Sequence, residues 1–150
     1  LTAASVGDAE VLPDLLDQLP PEEPLASVAA DGAYDTRACH EAIRTRGAQA
    51  LIPPRAGAVE WPDVDEGQAH PRSTIIRSIQ AHGAQHWKNS SGYHRRSLAE
   101  TAMYRLKTLF GGQLKNRRFD TQTTEAYARI AAMNIMTRLG MPESYPVDAL

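Results

Sequence analysis

The spacing of apolar and polar positions predicts helices alternating with short buried strands in the first third of the chain. Apolar residues recur at helical intervals over 8–19, whereas the apolar segment 25–30 is short and ends in a turn sequence, as buried strands do. A helix over 37–46 and a second apolar strand over 48–53 follow. This order predicts an α/β domain with a parallel or mixed sheet covered by helices.

The rest of the chain reads as one loop followed by helices. Prolines and glycines are frequent over 53–73, and no regular apolar period crosses that segment. Helical patterns return at 74–82, 91–110 and 121–139, with Asp120 placed to cap the last helix. We therefore predict one domain over 1–150, with a loop excursion at about 53–73.

Length and composition exclude several classes of protein. A chain of 150 residues with 42% hydrophobic residues is long enough to bury a core. No apolar run approaches the roughly 18–20 residues that a membrane span requires, so a transmembrane protein is not expected. One cysteine permits no internal disulfide, which fits a reducing compartment. The start, Leu1 to Ser5, resembles neither a signal peptide nor a natural start.

The net charge of −2 hides a strong asymmetry between the two halves of the chain. Residues 1–70 contain 4 Lys and Arg against 13 Asp and Glu, a balance of −9, whereas residues 71–150 contain 12 against 5, a balance of +7. A basic half of this kind indicates a polyanionic partner. Attraction between the two halves within one fold would produce the same pattern, so charge alone leaves both interpretations open.

The segment 91–110 contains the most informative polar pattern. On a helix, with about 100° between successive residues, four functional side chains fall on one strip roughly 60° wide. The opposite face is apolar. The strip contains Tyr93, Arg96, Glu100 and Lys107, and the apolar face contains Leu98, Ala102, Leu106 and Leu109.

The residue types on this strip suit a site that handles phosphates and a metal ion. A carboxylate near cations stays ionised and can hold a divalent ion, while Arg96 and Lys107 are suited to bind phosphates. Tyr93 can hydrogen-bond a phosphate or stack on a base. Two local alternatives remain open: an ion pair from Arg96 to Glu100, and a capping box from Ser97 to Glu100 that would start the helix at Ser97.

Two motifs resemble those of a known family. The spacing Tyr-x2-Arg-x3-Glu-x6-Lys over 93–107 is similar to the signature around the third carboxylate of DDE-type bacterial transposases of the insertion sequence four and five groups. The segment 30–35, ADGAYD, resembles the second-carboxylate motif of the same family. The similarity extends over the whole chain, including the tail 117–142.

The resemblance implies a ribonuclease-H-like mixed sheet flanked by helices, and DNA strand cleavage and transfer at the ends of an insertion sequence. Asp31 and Glu100 would be the second and third of three acidic residues that bind two Mg²⁺ or Mn²⁺ ions. Since no residue before Asp31 fits the first position, we expect a carboxy-terminal part of the catalytic domain, without its amino-terminal strands. Alone, it should bind metal weakly and cut nothing.

The resemblance also implies DNA as partner, a homo-oligomeric transposition complex and a place with the bacterial nucleoid in the cytoplasm. Tyr93, Arg96 and Lys107 would position phosphates. A further basic cluster lies between two predicted helices and comprises Lys115, Arg117 and Arg118. These residues either contact DNA phosphates or form a solvated turn. Asp35 competes with Asp31 for the metal role, although it suits the cap of the next helix. The alternatives are a catalytically inactive DNA-binding or regulatory remnant, and an unrelated α/β domain.

Overall fold

The computed structural model describes residues 6–64 and 67–140, which fall into two units that divide between Ser97 and Leu98. The described elements of the first unit are α1 (Asp8–Asp17), β1 (Ser27–Ala29), a 3₁₀ helix (Gly32–Tyr34), α2 (Arg37–Thr45), β2 (Gln49–Leu51), α3 (Pro71–His82), α4 (Ala84–Ser90) and a second 3₁₀ helix (Tyr93–Arg96). Those of the second unit are α5 (Ser97–Phe110), which begins at the last residue of the first unit, and α6 (Phe119–Arg138).

Strands β1 and β2 pair in parallel and are connected by α2. In their register, Ser27 lies opposite Gln49 and Ala29 opposite Leu51. Over the described residues this is a two-stranded sheet. Parallel neighbours need a crossover connection, and the helix between them provides it. The predicted succession of helix, strand, helix and strand, and with it the mixed α/β class, is confirmed.

Helices α1 and α2 pack against each other over a small apolar core beside the sheet. Each helix contributes residues at helical spacing to one buried face, and this spacing is the reason that the sequence predicts helices over 8–19 and 37–46. The buried residues of this core are Leu12, Leu16, Ala30, Cys39, Ile43, Ala50 and Ile52. Thr36 caps α2, its hydroxyl accepting a hydrogen bond from the amide of Cys39 at 3.3 Å.

A thiol compensates for the proline inside α1. Pro13 has no amide hydrogen, so the carbonyl of Ala9, four residues earlier, lacks its usual helical donor. The buried Cys39 of α2 donates its S–H to that carbonyl, with Sγ 3.1 Å from the oxygen. The single cysteine thus has a structural role, and it packs in the core as a small apolar residue would.

The prediction of one continuous helix over 91–110 is wrong. Gly92 adopts a left-handed conformation with φ +74°, and the 3₁₀ helix that follows occupies Tyr93–Arg96. Helix α5 begins at Ser97, as the capping-box alternative required. Helix α4 was not predicted, and α3 begins at Pro71, three residues earlier than expected, because His70 caps it by accepting a bond from the amide of Arg72.

The two helices of the second unit have no buried residue among those described. The apolar face predicted for the 91–110 helix is largely exposed, with Leu98 at 66% and Leu109 at 46%. Helix α6 begins at Phe119, with Arg118 in the cap position, and Asp120 lies in its first turn rather than at the predicted cap. None of the described helices is both long enough and apolar enough to cross a membrane.

Candidate functional site

The Asp31 carboxylate lies just beyond the carboxyl end of β1. The buried Ala30 separates it from the strand, and Asp31 itself is exposed. Asp31 caps the first 3₁₀ helix, and its Oδ1 accepts a hydrogen bond from the amide of Ala33 at 2.9 Å. Side chains at the carboxyl ends of parallel strands face the crevice where α/β proteins commonly bind ligands. Asp31 thus lies at the end of the first strand, at the edge where such ligands bind.

Arg55 fixes the turn that follows Asp31. This residue comes just after Pro53 and Pro54, beyond the end of β2, and its guanidinium reaches back across the edge of the sheet. Its Nε donates to the carbonyl of Gly32 at 3.1 Å, and its Nη2 donates to that of Ala33 at 2.8 Å. The turns after both strands are thereby joined.

Asp35 anchors the same turn from inside the protein. Its side chain is 1% exposed and receives two bonds from Arg72, Nε to Oδ1 at 2.6 Å and Nη2 to Oδ2 at 2.8 Å. The amide of Arg55 donates to Oδ2 at 2.9 Å, and Nε2 of His40 lies 3.2 Å from Oδ1. Asp35 is therefore neither the helix cap, which is Thr36, nor an open metal ligand: it is the acceptor at the centre of a buried polar network.

The charges in this network shift the pKa values of its members. Burial favours the neutral acid at Asp35, but the Arg72 guanidinium, the Arg55 amide and the His40 ring outweigh it and lower its pKa below the ordinary value. Burial lowers the pKa of His40 despite its contact with Asp35, and it lowers that of His70 despite the Glu41 carboxylate. The network is therefore built around an ionised Asp35 and neutral histidines.

Aromatic rings enclose the other side of Arg72. The Cζ atom of its guanidinium stands 4.2 Å from the ring centroid of Trp61, a cation–π distance. The rings of His40 and His70 meet Trp61 edge-on, with centroids 5.2 Å and 4.9 Å away. The loop around Trp61 is therefore tied to α2 and to the start of α3, which keeps water from Asp35.

Tyr93 and Arg96 come together, although not on a common α-helix. The 3₁₀ helix places the Arg96 guanidinium 5.8 Å from the Tyr93 ring centroid. Trp87 of α4 packs against the same ring at 5.4 Å, and the Lys88 ammonium lies 5.9 Å from it. An aromatic ring flanked by two cations is suited to the backbone or bases of a nucleic acid.

Glu100 and Lys107 both lie on α5. Glu100 is in its first turn and Lys107 in its last, and both are exposed. The seven-residue separation brings them to nearly the same side of the helix. The structure thus joins Tyr93 with Arg96 in one unit and aligns Glu100 with Lys107 in the other.

The predicted basic cluster lies in the 111–118 loop between α5 and α6. Lys115, Arg117 and Arg118 are exposed there. The loop is fixed to α6 by Glu125, whose carboxylate accepts bonds from the amides of Lys115, at 2.9 Å and 3.1 Å, and Asn116, at 3.0 Å. These amide bonds, followed by the Asn116 side chain and the Arg129 charge, lower the pKa of Glu125 to about 2.

Two exposed carboxylates could serve as metal ligands. Asp31 presents the carboxylate oxygen that Mg²⁺ prefers, and Glu100 carries the same group. Across residues 6–64 and 67–140, no group of three or more His, Cys, Asp or Glu side chains is arranged to hold a metal ion. Each of the two carboxylates therefore fits the metal in donor chemistry.

The chain matches one known protein family over most of its length. The family model described as "Transposase DDE domain" matches residues 1–135. The chain belongs to this family. No solved structure gives a significant match. The match covers the segments of both candidate carboxylates, Asp31 and Glu100, and the 111–118 loop, so these features lie inside the transposase domain.

Sequence reasoning missed several residues that shape this transposase domain. Arg72 gave no signal, because nothing local marks an arginine that will be buried against an acid 37 residues earlier. Arg55 had a signal, since it follows a buried strand at the same edge as Asp31. Lys88 lies five residues before Tyr93 in the sequence. Its contact with the Tyr93 ring could not be predicted, because the helix that carries it, α4, was not predicted.

Proposed function

We propose that this transposase domain takes part in metal-dependent DNA cleavage and strand transfer at the ends of an insertion sequence of the four or five group. Asp31 and Glu100 would be the second and third acidic residues of the DDE triad, on a ribonuclease-H-like fold. One observation carries the proposal: in a chain of this family, Asp31 is an exposed carboxylate at the carboxyl end of a parallel strand, on a turn fixed by Arg55.

Asp31 and Glu100 would hold Mg²⁺ or Mn²⁺ in the complete enzyme. When bound, such ions act as Lewis acids on a phosphodiester and stabilise the charge of an in-line displacement. The chain's own contribution is to hold the Asp31 carboxylate in place, because its Oδ1 is bonded to the Ala33 amide and its turn is fixed by Arg55. With two of the three acidic residues, the chain alone is expected to bind metal weakly and to cleave no DNA.

The basic residues would bind the DNA backbone. Tyr93 and Arg96 form one candidate contact in the first unit, and Lys107 lies on α5 of the second. The exposed cations of the 111–118 loop supply a third; they are Lys115, Arg117 and Arg118. Separate basic contacts suit a protein that holds element ends and target DNA, within a homo-oligomeric complex at the bacterial nucleoid.

A second candidate function is a catalytically inactive DNA-binding or regulatory remnant that mixes with intact transposase. It is favoured by one observation, that the exposed cations Lys115, Arg117 and Arg118 would bind DNA without any metal ion. On this alternative the basic residues keep their role, whereas Asp31 and Glu100 do not.

Titration with Mn²⁺ separates the two. Free Mn²⁺ is followed by electron paramagnetic resonance in the chain, in Asp31→Asn and in Glu100→Gln, with Glu22→Gln as a control for loss of an exposed carboxylate. The first proposal predicts that Asp31→Asn and Glu100→Gln each weaken binding about tenfold or more, and that Glu22→Gln does not. Equal binding by all four proteins would leave only the remnant function.

Plasmid nicking tests the expected inactivity. The chain is incubated with supercoiled DNA and Mg²⁺, and relaxed circles are counted. We expect none. Nicking by the chain alone that is lost in Glu100→Gln would contradict the expected inactivity while supporting the assignment of Glu100.

A further inference from the structure

The 111–118 loop is held in shape by two residues of α6 that carry opposite charges. Glu125 and Arg129 lie one helical turn apart and form an ion pair, and their side chains are 14% and 11% exposed. Glu125 accepts from the amides of Lys115 and Asn116, and from Nδ2 of Asn116 at 2.7 Å. The Glu125 and Arg129 side chains are therefore largely covered by the loop, whereas the cations of the loop are exposed.

Arg129 completes the attachment on the other side of the loop. Its Nη1 donates to the carbonyl of Gly111 at 3.3 Å, and its Nη2 donates to that of Gln113 at 3.1 Å. Gln122, also on α6, donates to the carbonyl of Asn116 at 3.0 Å. The backbone of the loop is thus bonded to a single helix at Gly111, Gln113, Lys115 and Asn116.

These bonds use the backbone of the loop and leave its basic side chains directed elsewhere. Lys115 bonds Glu125 through its amide, so its ammonium is not part of that contact. Arg118 pairs with Asp120 at 2.9 Å, in a contact whose side chains are 81% and 62% exposed. A fixed loop presents cations at set spacings, which reduces the conformational entropy lost when they meet phosphates.

We propose that Glu125 and Arg129 are positioning residues for DNA, which hold the 111–118 loop in the conformation that contacts the phosphate backbone. This inference rests on the proposed function, because it requires the loop to bind DNA. It assigns to an acidic residue a favourable role in binding a polyanion. Removing the negative charge of Glu125 should weaken DNA binding, whereas a simple electrostatic view predicts that it tightens.

Variants with matched changes in charge test whether loss of the Glu125 charge weakens or tightens DNA binding. Affinity for a duplex of about 30 base pairs is measured by fluorescence anisotropy at several salt concentrations for the chain, Glu125→Gln, Arg129→Lys and Asp120→Asn. Glu125→Gln and Asp120→Asn remove the same charge five residues apart. The first removes bonds to the backbone of the loop, whereas the second removes an exposed pair with the Arg118 side chain and leaves those backbone bonds in place. Arg129→Lys keeps the charge and loses the planar guanidinium that bonds two carbonyls and Glu125.

We expect Glu125→Gln and Arg129→Lys to weaken binding about threefold to tenfold, and Asp120→Asn to leave it unchanged or tighten it. Hydrogen exchange supplies a direct readout: the amides of Lys115 and Asn116 should exchange faster in Glu125→Gln and in Arg129→Lys, but not in Asp120→Asn. Circular dichroism of each variant confirms that α6 is retained. Tighter or equal binding by Glu125→Gln would overturn the proposal.

One further variant separates this inference from the function on which it rests. In Lys115→Ala/Arg117→Ala/Arg118→Ala the loop loses its cations, and we expect weaker binding with a lower salt dependence. If the chain binds DNA and this variant binds equally well, the positioning role is overturned while the proposed function stands. If the chain itself binds no DNA, both fail.

Discussion

The carboxylate of Asp35 and the guanidinium of Arg72 form a two-pronged ion pair inside the first unit, with contacts of 2.6 Å and 2.8 Å. The two side chains are 1% and 5% exposed. This pair links the turn after β1 to the start of α3, so the position of Asp31 depends on a residue of another element.

Breaking this pair should destabilise the first unit strongly. Arg72→Met leaves a buried carboxylate without its main partner, and we expect the free energy of unfolding to fall by about 3–5 kcal/mol. Urea denaturation measures it. Asp35→Leu/Arg72→Met removes both charges and should regain much of the loss. Equal destabilisation by the single and double variants would show that the pair itself is not the cause.

The same network predicts acid sensitivity. The pKa values of His40 and His70 are lowered by burial, so the unfolded chain binds more protons below its histidine pKa of about 6.5. Stability present above that pH should decline as the pH falls below it. The lowered pKa of Asp35 adds a second decline below about 3.9, the unfolded value.

The urea concentration at half-unfolding, measured between pH 8 and pH 5, reports the first decline. The pH values are spaced around the unfolded histidine pKa of roughly 6.5. His40→Gln should flatten the dependence, because it removes one of the two buried rings. The control is His82→Gln, which changes an exposed histidine at the end of α3. A profile that His40→Gln leaves as steep as before would contradict this prediction.

Arg55 should control the mobility of the turn that carries Asp31. Arg55→Ala removes the donors to the carbonyls of Gly32 and Ala33, and we expect a loss of about 1 kcal/mol in the opening free energy of this turn. Hydrogen exchange at the amides of Tyr34 and Asp35 measures it. Arg44→Ala, which breaks an exposed ion pair on α2, should leave those amides unaffected.

DNA binding should depend on salt in a way that identifies its phosphate contacts. Neutralising Arg96 or Lys107, as Arg96→Gln or Lys107→Gln, is expected to lower the slope of log affinity against log salt by about 1 each. Anisotropy titrations at several salt concentrations give the slope. Arg77→Gln is the control, because Arg77 is bound to Glu60 on the surface of the first unit. Unchanged slopes in both variants would exclude these residues from the interface.

Much of the first unit could be predicted because its signals are local. The periods over 8–19 and 37–46 and the short apolar strands need only neighbouring residues, and the structure has helices and strands in each place. The pair of Asp35 and Arg72 could not be predicted, because its two members are 37 residues apart and neither carries a local mark of burial.

In the segment 91–110, Tyr93 and Arg96 lie close together as predicted, although the predicted α-helix is a 3₁₀ helix at these residues. Tyr93 and Arg96 are three residues apart, and residues at that spacing lie above one another in a 3₁₀ helix as well as on one side of an α-helix. The periodicity could not distinguish a 3₁₀ helix from an α-helix. The left-handed conformation of Gly92 marks the start of the 3₁₀ helix. The apolar face of α5 was predicted from the same period, yet Leu98 and Leu109 are exposed in the unit described.

The Pro53–Pro54 pair before Arg55 has an effect that no contact distance reveals. Proline fixes its own φ and restricts the residue before it, so this segment samples few conformations even in the unfolded ensemble. The chain therefore loses less conformational freedom when Arg55 reaches its place beside the Asp31 turn. Part of the conformational restriction that places Arg55 is thus present in the denatured polypeptide, before any tertiary structure has formed.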